Sequence, residues 1–151
     1  MKIAVFSDTH RNIDGAVAAI ESYRPDLIIH LGDHYRDAQN LQMTFPYIPM
    51  EAVAGNCDYA PEEDAVKIIE PMGVRMMLTH GHTYRVKYET MPMLNAAFFQ
   101  GAQVVLFGHT HQPFAGFAGG VMMVNPGSLA QGRYAEIHIE NGQAVPYLKE
   151  L

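Results

Sequence analysis

The hydrophobic positions in the first third of the chain predict strands that alternate with helices. Three short apolar runs are expected to be strands: Lys2–Phe6, Asp26–His30 and Tyr47–Ala54. Pro49 weakens the first half of the last run, because proline cannot donate a ladder hydrogen bond. One helix is expected to begin at Asn12 or Asp14, and a second lies near Asp37–Thr44. This alternation is typical of right-handed crossovers between parallel strands, and so of an α/β fold.

The rest of the chain is rich in strands and tight turns. Seven further strands are predicted: Ala65–Glu70, Val74–Thr79, Val104–Phe107, Ala115–Phe117, Val121–Val124, Arg133–Ile139 and Ala144–Leu148. One helix, at about Glu89–Gln100, interrupts them. Gly119-Gly120 and Asn141-Gly142 are typical of two-residue hairpin turns. A parallel first half followed by a hairpin-rich second half predicts two sheets packed face to face, with helices outside.

The size and cysteine content predict a single domain in a reducing compartment. The 151 residues are enough for one core, so residues 1–151 are expected to form one domain. No apolar run approaches the ~20 residues of a membrane helix, and no signal peptide is recognised at the N-terminus. Cys57 is the single cysteine, which excludes an intrachain disulfide. We therefore expect a cytoplasmic protein.

The charge distribution argues against a dedicated nucleic-acid surface. The formal net charge is −6, and the ten lysine and arginine residues do not cluster. No membrane partner is expected either. Self-association into a homo-oligomer is left open, since the short chain is rich in methionine and tyrosine.

Candidate chemistry lies where five of the predicted strands end. Each apolar run continues directly into side chains that can bind metals: Ser7-Asp8-Thr9-His10, His30-Leu31-Gly32-Asp33, Gly55-Asn56-Cys57-Asp58, Thr79-His80-Gly81-His82 and Gly108-His109-Thr110-His111. Ligands of α/β sheets bind outside the carboxyl ends of the strands, so these segments are expected to converge. The spacings Asp8-x-His10 and His109-x-His111 predict extended segments with both side chains on one side.

The donor set predicts two transition-metal ions. Imidazole nitrogens mixed with carboxylate and amide oxygens favour manganese, iron, cobalt, nickel or zinc over calcium. The donors are too many for one ion but can hold two, roughly 3.5–4 Å apart, if one carboxylate bridges. The seven candidate ligands are Asp8, His10, Asp33, Asn56, His80, His109 and His111.

These segments resemble the calcineurin-like metallophosphoesterase family. Its signature reads D-x-H, G-D, G-N-H/C-D/E, H-G-H and G-H-T-H, and all five elements occur here in that order. The variant Gly55-Asn56-Cys57-Asp58, the short length and Asn125-Pro126-Gly127-Ser128 are most similar to the small prokaryotic phosphodiesterases. The resemblance implies a four-layer α/β/β/α sandwich with two mixed β-sheets.

The resemblance also implies the roles of the ligands. One metal would be held by Asp8, His10, Asp33 and His111. The other would be held by Asp33, Asn56, His80 and His109, so that Asp33 bridges two divalent ions, with manganese expected first. A metal-bridging hydroxide would attack phosphorus in line and hydrolyse a small phosphoester, a phosphodiester first and a nucleotide or monoester as variants. Asp33, Asn56 and His80 are the expected catalytic residues.

Two departures from the family pattern bear on substrate and mechanism. Larger relatives often have histidine at the position of Cys57, thought to protonate the leaving group, and a thiol with a pKa of ~8.5 is a poor substitute. We therefore expect a modest enzyme that favours good leaving groups, unless His34, His82 or water supplies the proton. The phosphoprotein phosphatases continue into Asp-Arg-Gly after Gly32-Asp33, which this chain does not, so a phosphoprotein substrate is not expected.

Several residues have competing structural interpretations. His82 is either a substrate or second-layer donor or a solvated turn residue, and Asp58 is expected to orient a ligand or the backbone. Cys57 by default is a small buried residue. Asn125-Pro126-Gly127-Ser128 either borders the cleft or is a simple turn, and His30 is expected in the core.

A rival function for the whole chain is a non-catalytic scaffold. The retromer subunit of this fold resembles such an enzyme but has lost ligands and binds proteins. Here all seven ligand positions hold competent donors, which favours the enzyme. A metal-dependent nuclease is disfavoured by the acidic charge and by the lack of room for a DNA-gripping domain.

Overall fold

The computed structural model describes residues 1–59 and 63–151 and contains two five-stranded sheets. The strands are β1 (Lys2–Phe6), β2 (Leu27–His30), β3 (Met50–Ala52), β4 (Val66–Ile69), β5 (Met76–Thr79), β6 (Val104–Leu106), β7 (Phe114–Ala118), β8 (Val121–Asn125), β9 (Arg133–Glu140) and β10 (Gln143–Glu150). The helices are α1 (Ile13–Tyr23), α2 (Tyr35–Thr44) and α3 (Met91–Phe99). Short 3-10 turns cover Pro71–Gly73, His82–Tyr84 and Leu129–Gln131. No described helix has the length and apolarity that a membrane crossing requires.

Both sheets are mixed, as predicted. The first sheet has the order β10-β9-β1-β2-β3, in which β1, β2 and β3 run parallel. The second has the order β4-β5-β6-β8-β7, in which β5, β6 and β8 run parallel. Each sheet therefore has a parallel part, whose strand ends gather at one rim. Antiparallel strands lie at one edge of the first sheet and at both edges of the second.

The apolar strands are continuous because each is covered on both faces. In β1, Ile3 and Val5 point into the core between the sheets, while Ala4 and Phe6 pack beneath α1 and α2. In β5, Met77 faces the opposite way from its neighbours and packs against α3. The layers are α1 and α2, first sheet, second sheet, and α3, so the predicted α/β/β/α sandwich is confirmed.

The last hairpin does not stay with the second half of the chain. β9 pairs antiparallel with β1, so β9 and β10 extend the first sheet rather than the second. The chain order thus does not divide into one sheet per half. The hairpin itself was predicted: Asn141 and Gly142 have φ of +52° and +74°, the positive values that a type I′ turn requires.

The third strand is shorter than predicted. The apolar run Tyr47–Ala54 forms a ladder only over Met50–Ala52, directly after Pro49. The run's last two residues leave the sheet, and this exit carries the chain toward Gly55 and the functional site. A proline before the strand and a departure after it leave three residues for pairing.

Candidate metal centre

The polar segments lie together at one rim of the two sheets. Two groups of potential ligand atoms are present, and within each group all atoms lie within 4.8 Å of one another. The first group is Asp8, His10 and His111, and the second is Asp8, Asp33 and His80. Asn56 and His109 adjoin the second group, since Asn56 Oδ1 lies 3.1 Å and His109 Nδ1 lies 3.2 Å from His80 Nε2. The structure thus brings together all seven residues predicted as ligands.

Asp8 lies between the two donor groups. Its Oδ2 accepts hydrogen bonds from the Ser7 hydroxyl at 2.6 Å and from the His109 amide at 3.2 Å. Its Oδ1 lies 3.0 Å from His111 Nε2 and 3.9 Å from His80 Nε2. One oxygen is therefore fixed by the protein, while the other faces the cluster. Asp8 is common to both donor groups, whereas the bridging role implied for Asp33 stays a prediction.

Asp33 uses its two oxygens in the same way. Oδ1 accepts a hydrogen bond of 3.0 Å from the Cys57 amide, and Oδ2 lies 3.5 Å from His80 Nε2. Burial by itself would raise the pKa of Asp33, but the Cys57 amide and the neighbouring His80 ring outweigh it and lower that pKa. Asp33 is therefore an anion with one oxygen available to a cation.

The backbone at these segments is left-handed, not extended. The predicted extended geometry for Asp8-x-His10 and His109-x-His111 is wrong, since all four ligands have φ between +43° and +68°. β1 ends at Phe6 and β6 at Leu106, so no ladder partner keeps the following residues extended. Tight turns bring each pair together instead, and Thr110 N donates to Gly108 O at 2.8 Å. Positive φ at non-glycine residues is strained and concentrates at functional sites.

Two glycines allow the segments to approach each other. A Cβ on Gly108 would overlap the Ser7 hydroxyl and lie 3.0 Å from Asp8 Oδ2. A Cβ on Gly55 would overlap Asp33 at both its carboxylate and its amide. Only glycine fits at these two positions while Asp8 and Asp33 keep their places.

Residues of the Asn125-Pro126-Gly127-Ser128 segment hold the metal-binding loops. The Ser128 hydroxyl donates to Asp8 O at 2.9 Å, and Asn125 Nδ2 donates to Gly108 O at 3.0 Å. Both side chains are buried. The interpretation in which this segment borders the cleft therefore describes the structure better than that of a simple turn.

A second set of buried polar residues was missed by the sequence reasoning. Thr9 Oγ1 donates to Asp37 Oδ2 at 2.6 Å, and Asp37 Oδ2 also accepts from the Arg11 amide at 2.8 Å. His30 lies 3.2 Å from Thr9 Oγ1 and accepts from the Gly32 amide, so it is the core histidine that was predicted. The one available signal for Asp37 was an acidic residue in the first turn of α2, which also has an ordinary structural explanation.

Of the weaker candidates, Asp58 binds the backbone, whereas the side chain of Cys57 is exposed. Asp58 accepts from the amides of Tyr35 and Gly55, each at 2.8 Å, and so connects α2 to the loop of Asn56. Cys57 is exposed, so its default interpretation as a buried residue is wrong. Partial desolvation and the nearby Asp33 carboxylate raise the pKa of the Cys57 thiol, which keeps it protonated at neutral pH.

The weaker candidates His34 and His82 lie beside the ligands. The ring centroid of His34 is 4.8 Å from that of His10, and the centroid of His82 is 5.4 Å from that of His80. His82 Nδ1 is buried and has no hydrogen-bond partner among the described residues. Burial and the His80 ring lower the pKa of His82, so it is neutral near pH 7.

The environment of His80 fits a cation. His80 is fully buried, and its Nδ1 lies 2.8 Å from Leu31 O, which can only accept, so Nδ1 carries the proton. The other nitrogen, Nε2, faces Asn56 Oδ1, Asp33 Oδ2 and His109 Nδ1, so a ring that is deprotonated at Nε2 presents its lone pair to three acceptor atoms. Acceptor atoms facing one another in a buried site repel unless a positive charge lies between them.

His109 is in the protonation state that metal binding needs. Burial and the neighbouring His80 ring lower the pKa of His109 from 6.5 to about 4. The imidazole is therefore neutral at physiological pH and keeps a free lone pair.

Comparison with known proteins agrees with this fold and donor set. The chain matches the family model of the calcineurin-like phosphoesterase superfamily domain over residues 1–140. The probable metallophosphoesterase YsnB of Bacillus subtilis is 29% identical over 153 residues, which cover 95% of this chain and 88% of YsnB. Phosphodiesterase YfcE of Escherichia coli K12 is 27% identical, over 86% of this chain and 80% of YfcE. The structure of Vps29 from Entamoeba histolytica in complex with Zn²⁺ shares the fold, with a TM-score of 0.78, 15% identity and coverage of 99% of each chain.

These matches define a class of metal-dependent phosphoesterases. The chain belongs to the calcineurin-like phosphoesterase superfamily, since the family model spans nearly all of it. The resemblance drawn from five short motifs is thereby confirmed.

Proposed function

We propose that this chain is a two-metal phosphodiesterase. The observation that carries the proposal is the buried nitrogen Nε2 of His80, which lies 3.1–3.5 Å from Asn56 Oδ1, His109 Nδ1 and Asp33 Oδ2. The second donor group of Asp8, His10 and His111 lies next to it and shares Asp8. Two adjoining donor sets with a carboxylate between them suit a pair of divalent ions, with manganese as the first expectation.

The side chains have separate roles in this proposal. His10 and His111 would hold one ion with Asp8, while Asn56, His80 and His109 would hold the other with Asp33. When bound, the ions lower the pKa of a water molecule and neutralise charge on the phosphoryl oxygens. The left-handed loops hold the donors in place beforehand, so little reorganisation is needed when substrate binds.

Neither Cys57 nor His82 is a strong general acid, which leaves His34, beside His10, or water as the remaining proton sources. The exposed Cys57 thiol has a raised pKa and is a weak proton donor, while His82 is neutral near pH 7. General acid catalysis is worth roughly 10²–10⁴-fold, so esters with good leaving groups are the expected substrates. A series of aryl esters should show rates that fall steeply as the leaving-group pKa rises. A flat series would show that a residue or water does supply the proton.

The deciding experiment is hydrolysis of bis-p-nitrophenyl phosphate by metal-stripped protein, titrated with manganese, nickel, cobalt, zinc and magnesium. We expect activity to return with metal and to be lost in Asp33→Asn and Asp8→Asn. Asp14→Asn is the matched control, because Asp14 is an exposed acid on α1. Metal content then distinguishes the roles of Asp8 and Asp33. Asp8 is common to both donor groups, so Asp8→Asn should lose both ions and Asp33→Asn only one, and the opposite result would assign the bridging role to Asp33.

The same experiment can overturn the proposal. No hydrolysis with any ion, together with fewer than two ions bound per chain, would contradict it. The scaffold function, which the Vps29-like fold also allows, would then be the better explanation.

A further inference from the structure

One continuous part of the chain has no charged side chain. Charged residues make up 17% of the chain, yet none lies between Thr90 and Gly132. This segment contains α3, β6 and the β7–β8 hairpin. Its core positions need no charge, but α3 and β7 both reach the surface.

The surface of this segment is apolar. On α3, Met91, Asn95 and Phe98 share one exposed stripe, spaced i, i+4 and i+7. Met91 is 57% and Phe98 is 67% exposed, and with the tip of the β7–β8 hairpin they line a groove of about 320 Å³. On β7, Phe114 is 45% and Phe117 is 73% exposed. Phe114 lies on the α3 side of the second sheet, whereas Phe117, three residues further along β7, lies on the side toward β10. Both faces of this strand edge are therefore apolar and uncharged, and the α3 stripe adjoins one of them.

β7 is also an edge strand without the usual protection. Among the described strands, four are sheet edges: β3, β4, β7 and β10. β10 contains Pro146 and Lys149, β3 has three residues including Glu51, and β4 contains Lys67. Charges, proline and shortness keep edges from pairing with other strands. β7 has five residues and none of these devices.

We propose that a second copy of this chain covers this edge, by antiparallel pairing of β7 with β7 of the other copy. A two-fold axis at Gly116 places Phe114 opposite Ala118 and Phe117 opposite Ala115 of the other copy. Each large side chain then meets a small one, and no like charges meet. A strand sequence that is complementary to itself in the antiparallel sense suits an isologous dimer.

The area is sufficient for a dimer. A phenylalanine or comparable side chain buries about 150–250 Å², so the exposed parts of Met91, Phe98, Phe114 and Phe117 offer on the order of 500 Å² per copy. Two copies would bury about 1,000 Å² together, the least area expected of a specific protein interface. Pairing would join the second sheets of the two copies into one sheet of ten strands.

The first test is the mass of the full chain in solution, measured by sedimentation across a concentration series. We expect twice the chain mass of 16.8 kDa in the wild type. Phe117→Lys puts a charge on the paired edge and should weaken dimerisation about 30-fold or more, with unchanged circular dichroism. Tyr47→Lys is the matched control, because Tyr47 is 96% exposed beside β3, which is at the other edge of the first sheet from β10, the strand that contacts β7. This control should remain dimeric.

A cross-link tests the pairing itself. In a Cys57→Ser background, Gly116→Cys should form a disulfide dimer under mild oxidation, since residues opposite each other across an antiparallel pair lie at disulfide distance. Gly73→Cys, in the turn between β4 and β5 at the other edge of the second sheet, should not. A wild-type chain that is monomeric throughout the series would overturn the proposal. A dimer that survives Phe117→Lys, or dissociates in Tyr47→Lys, would overturn it as well.

Discussion

At the scale of single residues, several candidate ligands adopt backbone conformations that are unfavourable for a non-glycine residue. Asp8, His10, Asp33, His109 and His111 all have positive φ, between +43° and +68°. Each such non-glycine residue costs about 1–3 kcal/mol. Buried hydrogen bonds hold the strained segments in place, from the side chains of Ser7, Asn125 and Ser128. Local strain is thus offset by hydrogen bonds from the adjacent Ser7 and from Asn125 and Ser128, which are distant in the sequence.

Ser7 allows this support to be tested. Ser7→Ala removes the 2.6 Å hydrogen bond to Asp8 Oδ2, the oxygen that faces away from the metal centre. Asp8 then loses part of its orientation, and metal affinity should fall about 10–100-fold. Calorimetric metal titration measures the loss, and the exposed Ser22→Ala serves as control. Equal affinities in the two variants would show that the Ser7 hydroxyl does not position Asp8.

His30 predicts a pH dependence of stability. Complete burial lowers the pKa of His30 from 6.5 to about 4, so the unfolded chain binds a proton in this range that the folded chain excludes. Its contribution is favourable above pH 6.5 and is lost as the pH falls toward 4, by roughly 3 kcal/mol. Urea unfolding of wild type and His30→Gln at pH 7 and pH 4.5 measures it. The variant should lose less stability over this interval than the wild type, and an equal loss would contradict the assignment.

At the scale of elements, the strand ends decide where the ligands lie. Parallel strands from both sheets end at one rim, and each continues into a turn rather than a helix or a longer strand. Glycine is needed where two such turns touch. Gly108 follows β6 and lies against Ser7, which follows β1, so this contact joins the two sheets.

Gly108→Ala should therefore damage both stability and metal binding. The added Cβ overlaps the Ser7 hydroxyl, and overpacking of this kind costs about 1–3 kcal/mol. Gly142→Ala is the comparison, since open space surrounds Gly142 in the last hairpin and only its positive φ of +74° is strained. Thermal melts and metal titration of both variants give the result. We expect metal affinity to fall in the first variant alone, and a similar effect of both would contradict the close approach.

At the scale of the whole molecule, the metal centre connects the two sheets. Asp8, His10 and Asp33 follow strands of the first sheet, while His80 and His109 follow strands of the second. At this rim, buried polar side chains that follow strands of the two sheets lie close together, as His80 Nε2 and Asp33 Oδ2 do at 3.5 Å. Like charges and lone pairs are concentrated there, so the rim is unfavourable without a cation.

Metal removal should therefore lower the stability of the entire domain. A ligand that binds only the folded state stabilises it by about 2.7 kcal/mol at 100 times its dissociation constant. We expect a chelator to lower the Tm by several degrees, and excess manganese to restore it. Asp8→Asn should show no such response to manganese. A wild-type Tm that is the same with chelator and with metal would contradict a metal centre between the sheets.

The candidate ligands and the layered fold could be predicted from the chain alone, because both depend on local pattern. Continuous apolar runs are strands covered on both faces, and polar clusters after parallel strands gather at one edge. Asp8, His80 and His109 could be chosen on that basis. The hairpin at Asn141-Gly142 could be predicted equally well, because two adjacent residues are enough to specify its turn type.

Tertiary structure alone decided the remaining features, since they depend on contacts between distant segments. β9 pairs with β1 in the first sheet, although no local feature of Arg133–Glu140 predicts pairing with this sheet rather than with the second. The left-handed turns at Asp8 and His109 follow directly after strands, and hydrogen bonds from residues far along the chain, such as Ser128, stabilise them. The support from Ser7 and Asp37 could not be recognised from sequence, because a serine or an aspartate at a helix or strand end has ordinary capping explanations.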